Sequence, residues 1–271
     1  MLELASKIDL KSSSSRKKEF AQLILLSIIL LLFYEIYPLI NKLVPKGIFV
    51  KLMVLVIGAI IICGIAYWRM KTTHIFSQKI SFSNHKFSTI IFTAILVLEI
   101  LLATSTKFAL FKANIDKAVE IVVAAIVIGF IEEFLFRGVL FNAFIALFAK
   151  NYYVIFWTSI FTSIIFGCAH ALNLFHQDFS ITLIQIMMAA CLGMLFAYIH
   201  VITNELRWCI ALHAWHDMSL QLVKPSAPNN IWLFVIFYLV IFLIMCWAMF
   251  SYNNNNKKLN IYLKNGDKSL I

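Results

Sequence analysis

Apolar stretches long enough to cross a lipid bilayer recur along nearly the whole chain, and that repetition limits the fold more than any other feature. They are expected at about Phe20–Ile40, Ile48–Trp68, Phe87–Thr104, Ala118–Ala149, Tyr152–Leu174, Phe179–His200, Trp208–Val223 and Ile231–Phe250. In lipid a backbone must satisfy its own hydrogen bonds, so only helices and closed barrels span, and no strand-like alternation is present. The chain is 62% hydrophobic and only 13% charged, whereas soluble domains carry about 25% charged residues. The expectation is an all-α polytopic membrane protein with about eight spans in one bundle over 20–250. A polar leader (1–19) and a polar, poorly ordered tail (251–271) flank it.

Charge then sets orientation. The net charge of +10 is the positive-inside bias of a membrane protein, and no basic stripe interleaved with aromatics points to nucleic acid. Eight crossings put both ends on one side; that side collects fifteen lysines and arginines and the other six, so both termini are expected in the cytoplasm of a cell membrane. The first span lacks an A-x-A-like cleavage site and reads as uncleaved. Cys63, Cys168, Cys191, Cys209 and Cys246 are odd in number and irregular in spacing, which implies buried small hydrophobes rather than a disulfide framework or zinc knuckle.

Two segments depart from a plain span, and both carry chemistry. The fourth is thirty-two residues, about 48 Å if wholly helical, against a hydrocarbon core of about 30 Å. It must tilt, break or protrude, and Gly129 and Gly138 flank its charged cluster as weak points. The seventh is sixteen residues and holds His213, His216 and Asp217. So short and polar a segment is tolerable when buried among other helices.

Glu132 and Glu133 sit mid-way along the fourth segment, with Arg137 the only other charge nearby. A charge at the bilayer centre costs about 2.5–3.5 kcal/mol even on lenient scales. Glu133 and Arg137, four apart, share a helical face; Glu132 is turned about 100° from Glu133. An ion pair gluing helices together explains Glu133 and Arg137 but leaves Glu132 without a purpose. An unpaired carboxylate in a dry site can accept a proton near neutrality, so Glu132 reads as a base and Glu133–Arg137 as its support. His170 closes the fifth segment; His213 and Asp217 are four apart, so that carboxylate can orient that imidazole. His216 lies off that face and reads as structural. His200, at a span end, and His176, in a loop, are expected to be solvated. Glu35, Glu99 and Glu120 are placed towards span ends, within snorkelling reach of the interface.

Glu132-Glu133…Arg137, then Phe166…His170, then His213…Asp217, in that order, resembles the CAAX protease and bacteriocin-processing (Abi) family of intramembrane proteases, which includes the type II CAAX prenyl endopeptidase. The resemblance covers roughly Ala118 to Val223 and extends to the Arg137-Gly138 step. It implies an endopeptidase in which Glu132 and His170 activate a water, and His213 with the residue at Asp217 stabilises the oxyanion. An ionised Asp217 repels an oxyanion where Asn would donate to it, so Asp217 is protonated, orients His213 or helps bind a metal. The family is described both as metalloproteases and as metal-independent glutamate enzymes. Glu132, His170 and His213 form an acceptable ligand set for a divalent metal such as zinc, although no His-Glu-x-x-His helix is present.

Two other functions compete. A proton-coupled transporter would use the paired glutamates as proton sites, but no paired hydropathy repeats are seen. A bacteriocin-immunity or regulatory scaffold of the same fold would hold a peptide or a membrane partner without cutting it. For the protease, the expected substrate is a membrane-associated peptide or protein, with a bacterial leader or signalling precursor favoured over a prenylated one.

Overall fold

The computed structural model describes residues 21–22, 24–25, 28, 48–70, 73–75, 86–148, 151–175, 177–222, 228 and 230–255. Among these the chain is helical, without strands. In order, α1 is Ile48–Met70, α2 Lys86–Lys107 and α3 Ile115–Glu133. A π-helical stretch, Phe134–Leu140, joins α3 to α4 (Phe141–Phe148). Next comes α5, Val154–Ala169, extended by the 3-10 turn His170–Phe175. Then follow α6 (Phe179–Thr203), α7 (Arg207–Leu222) and α8 (Ile231–Asn255). Among the described residues, five helices are long and apolar enough to cross a membrane: those over Phe49–Trp68, Lys86–Lys112, Val154–Phe175, Phe179–Thr203 and Ile231–Asn255. The chain is a multi-pass membrane protein. Most of the expected first span, Glu35 and His176 lie outside the described residues.

The two segments that carry the charged motifs are absent from those five, for the physical reasons their sequences suggest. The fourth breaks: α-helix gives way to a π-helical stretch at Phe134, directly after the two glutamates. Such stretches are rare and concentrate at functional sites. Gly138 lies within it, whereas Gly129 sits in unbroken helix and marks a close approach instead. The seventh, α7, has sixteen residues and is shielded from lipid by α2 and α3 on two sides. The start of α3 is fixed by Asn114, whose side chain accepts from Lys117 N (2.8 Å), with Asp116 in the first turn.

The centre of the bundle is α6. Residues Leu192 to Val201 are all buried, as expected of a helix that is apolar all round. It packs along α5, and Gly193 permits this: a Cβ there would lie 2.9 Å from Ser163 Cα. The outer helices α1, α2 and α8 present Trp68, Leu101, Trp232 and Leu233 outward, where lipid replaces protein as the apolar partner. The end of α6 is closed by Asn204 in the left-handed region (φ 59°), a conformation asparagine tolerates. Its side chain accepts from Ile75 N (2.8 Å), which draws the 73–75 segment across the helix end.

That lid overturns one expectation. His200 is not solvated: it is fully buried, and its Nε2 donates to Thr73 O (3.2 Å). Three other details differ. The last helix runs on to Asn255, with Tyr252 and Asn253 buried and Asn253 bonded to Tyr152 O (3.1 Å). Cys168 is exposed and Cys246 half-buried, while Cys63, Cys191 and Cys209 are buried. Glu99, expected near a span end, lies eight residues before the end of α2 and faces α7. Glu120 does pair at the surface, with Lys117 (2.8 Å).

Candidate active site

Glu133 is the last residue of α3, Arg137 lies in the π-helical stretch, and His213 is mid-way along α7. These three form one buried unit. Arg137 Nη1 donates to Glu133 Oε1 (2.8 Å), and His213 Nδ1 donates to the same oxygen (2.8 Å). The other guanidinium arm reaches Gly193 O on α6 (3.1 Å). Side-chain exposure is 1% for Arg137 and 0% for Glu133, so the pair is held entirely by protein. A buried ion pair keeps its charges only when further hydrogen bonds and good geometry offset desolvation.

Phe166 gives that unit a wall. The Arg137 guanidinium carbon sits 4.6 Å from the Phe166 ring centre and 5.3 Å from that of Phe196 on α6. A cation between aromatic faces in a dry site gains from the ring quadrupoles. Phe166 also meets His170 and His213 edge-on, with centroids 5.2 Å and 5.7 Å away. Its carbonyl accepts from His170 Nδ1 (3.0 Å). A carbonyl cannot donate, so His170 carries a proton on Nδ1. The phenylalanine of the Phe-x-x-x-His motif thus touches all three motifs.

Glu132 is the carboxylate left over. Its Oε2 stands 3.5 Å from His213 Nε2 and has no hydrogen-bond partner. It interacts electrostatically with His213, His170, Asp217 and Glu133. Its side chain is 13% exposed against 0% for Glu133, so Glu132 is the carboxylate that a substrate can reach. Asp217 Oδ1 is 3.6 Å from His213 Nε2. The shorter bond that orients the ring therefore comes from Glu133, not Asp217. All six residues marked by the motifs converge, from four helical elements.

The close approach that brings α3 and α7 together depends on Gly129. A Cβ at that position would lie 3.0 Å from Ala214 N, a backbone atom with little room to retreat. Gly129→Val is expected to push α7 away, at about 1–3 kcal/mol of overpacking, and to lower activity more than Gly129→Ala. Thermal unfolding and cleavage rate, measured on both variants, check this ordering; equal behaviour of the two would contradict it.

Glu132, His170 and His213 suit a metal by residue type, but their arrangement does not. Among the described residues no three His, Cys, Asp or Glu side chains are grouped so that they could hold a metal ion. His213 Nδ1 donates to Glu133 and His170 Nδ1 to Phe166 O, the pattern of ligating imidazoles, so it is the grouping of the three side chains, not their ring nitrogens, that does not suit a metal.

The motifs missed the partners of this site as much as they found its members. Phe196 and the Gly193 carbonyl belong to no charged pattern, and nothing in their own residue types marks them. His216 and Glu99, read separately as structural and interfacial, are bonded to each other.

No curated protein and no solved structure matches the chain. Residues 114–219 match the model of the family described as type II CAAX prenyl endopeptidase Rce1-like, a span that begins at the cap of α3 and ends two residues beyond Asp217. Over that stretch the chain is similar to this family of proteases.

Proposed function

We propose that this protein is an intramembrane endopeptidase that hydrolyses a peptide bond of a membrane-associated peptide or protein with a water activated by Glu132 and His170. The observation that carries the reading is the division between the two glutamates: Glu133 accepts from both Arg137 and His213 through Oε1 and is fully buried, while Glu132 makes no hydrogen bond and is partly open. A carboxylate bound by two cationic donors holds geometry; one without a hydrogen bond can take a proton.

Glu132 accepts a proton from water as the water oxygen bonds to the scissile carbonyl carbon, and the carbonyl electrons move onto oxygen. The His170 Nε2 lone pair receives the second hydrogen bond of that water and aims it. His213, protonated on both nitrogens, donates through Nδ1 to Glu133 and through Nε2 to the oxyanion, with Asp217 as its near counter-charge. Donors fixed before the reaction, in a site without bulk water, are the largest single source of such stabilisation. Collapse re-forms the carbonyl and breaks the C–N bond, and Glu132 passes its proton to the leaving nitrogen. Arg137 keeps Glu133 ionised and in place throughout. Both termini lie in the cytoplasm of a cell membrane, on the side rich in lysine and arginine.

The test is a double-mutant cycle with purified protein and a panel of membrane peptides, each assayed with and without a chelator. Because both histidines serve one water and one oxyanion, His170→Ala and His213→Ala should each destroy cleavage, and the double variant should lose little more. Losses that simply add would mean two separate sites. A chelator is expected to leave the rate unchanged. A host phenotype retained in full by the properly inserted double variant would make the biological role binding rather than cutting.

A further inference from the structure

A second polar seam runs between α2 and α7, outside all three motifs. On α2, Glu99, Ala103 and Lys107 follow one another at four-residue steps and so share a face. On α7, His216 and Ser219 answer them. His216 Nδ1 donates to Glu99 Oε1. Ser219 Oγ donates to Ala103 O (3.1 Å) and accepts from Lys107 Nζ, which also donates to Ala103 O (3.1 Å). The Lys107 ammonium lies 4.9 Å from the Trp215 ring centre. A carboxylate–imidazole pair and an ammonium–hydroxyl pair thus lie side by side between two helices of a membrane bundle. Residues so costly in a span need a reason.

The geometry of α7 supplies one. His213 and Asp217 share one face of this helix, while His216 and Ser219 lie on another, turned about 100° from the first. The first face is held by the glutamates of α3, the second by the seam on α2. A helix of sixteen residues has little apolar surface with which to fix its own rotation and height. Bonds on two faces fix both. Lys107 also interacts electrostatically with Asp217, so the seam reaches the rim of the site.

We propose that Glu99, His216, Lys107 and Ser219 are positioning residues for the hydrolysis, setting the rotation and height of α7 and thereby the placement of His213 against Glu132. The inference rests on the protease reading above. A displacement of about 1 Å at a reacting group can cost on the order of 100-fold in rate.

The experiment compares conservative with apolar variants of the full-length protein in detergent or nanodiscs. Glu99→Gln keeps an acceptor for His216, and His216→Asn keeps an amide nitrogen in the place of Nδ1. Glu99→Leu and His216→Leu keep neither. The leucine variants should lose about 10- to 100-fold in kcat with KM nearly unchanged. The conservative variants should retain most activity, and the double leucine variant should be no worse than either single one. A second readout needs no cleavage: the Nδ1 proton of His213, bonded to Glu133, in protein carrying nitrogen-15 histidine, assigned with His213→Gln. This signal should move in the leucine variants and stay in the conservative ones. Should the leucine variants fail to insert, Ser219→Ala carries the same comparison, with a several-fold loss and the same shift expected.

Leucine variants at the wild-type rate, equal losses in both classes, or lost activity with an unmoved His213 signal would each overturn the proposal. If the wild-type protein cuts no peptide yet the signal moves with the leucine variants alone, the seam positions α7 and the protease reading is what fails.

Discussion

Replacing Glu132 with glutamine should lower peptide cleavage by about 10²–10⁴-fold, the usual cost of losing a general base, while the bundle stays folded. Glutamine has the same shape and still accepts a hydrogen bond, but it cannot take a proton from water. The fold should tolerate the change because Glu132 makes no hydrogen bond that the protein would miss. Its nearest partner is His213 Nε2 at 3.5 Å, and Glu133 holds that ring independently through Nδ1. The measurement is steady-state cleavage by purified protein whose thermal unfolding matches wild type. A well-folded Glu132→Gln protein that turns over at the wild-type rate would remove Glu132 from the base role and leave the site without one.

The distinction between the two glutamates was legible in the sequence, because a four-residue step from Glu133 to Arg137 is a geometric statement about one helix. Most span positions were legible for a similar reason: apolar length is a local property, and expected and observed boundaries differ by a few residues. What lay beyond reach depends on neighbours. Glu99 lies in a helix that runs to Lys107, three residues past its expected end, and its partner comes from a segment more than a hundred residues away. His200 reads as solvated because it closes its expected span; only the fold brings Thr73 over it. The break in the fourth segment announced itself as excess length. Its π-helical form and its position, starting at Phe134 rather than at Gly129, did not. Phe166 is intermediate: the motif contains it, but nothing in the sequence says that one ring would face an arginine and edge two histidines. The same limit explains why the metal reading stayed open from sequence. Residue types allow a carboxylate with two imidazoles, and only the placement of their free atoms decides whether three donors converge.

Breaking the Glu133–Arg137 pair should do what Glu132→Gln does not, and unfold the protein. Either Glu133→Leu or Arg137→Leu leaves one charge stranded in a site where the two side chains are 0% and 1% exposed. Removing one member of such a pair typically costs about 3–5 kcal/mol, because the remaining charge loses its compensation. For Arg137 the loss is larger in kind, since Gly193 O and the faces of Phe166 and Phe196 lose their donor and cation together. Replacing both residues by apolar ones of similar volume, Glu133→Leu with Arg137→Met, removes the stranded charge and should recover much of that stability. Activity should not return with it. Without Glu133, His213 loses the acceptor of its Nδ1 proton, and the ring is free to turn its Nε2 away from Glu132. Folding and function therefore separate at this pair: unfolding measured in detergent should rank wild type and the double variant above both single ones, while cleavage should survive only in wild type. A double variant that folds and still cuts peptides would mean that His213 needs no orientation by Glu133. An Arg137→Leu protein as stable as wild type would mean that the pair is not holding the three segments together.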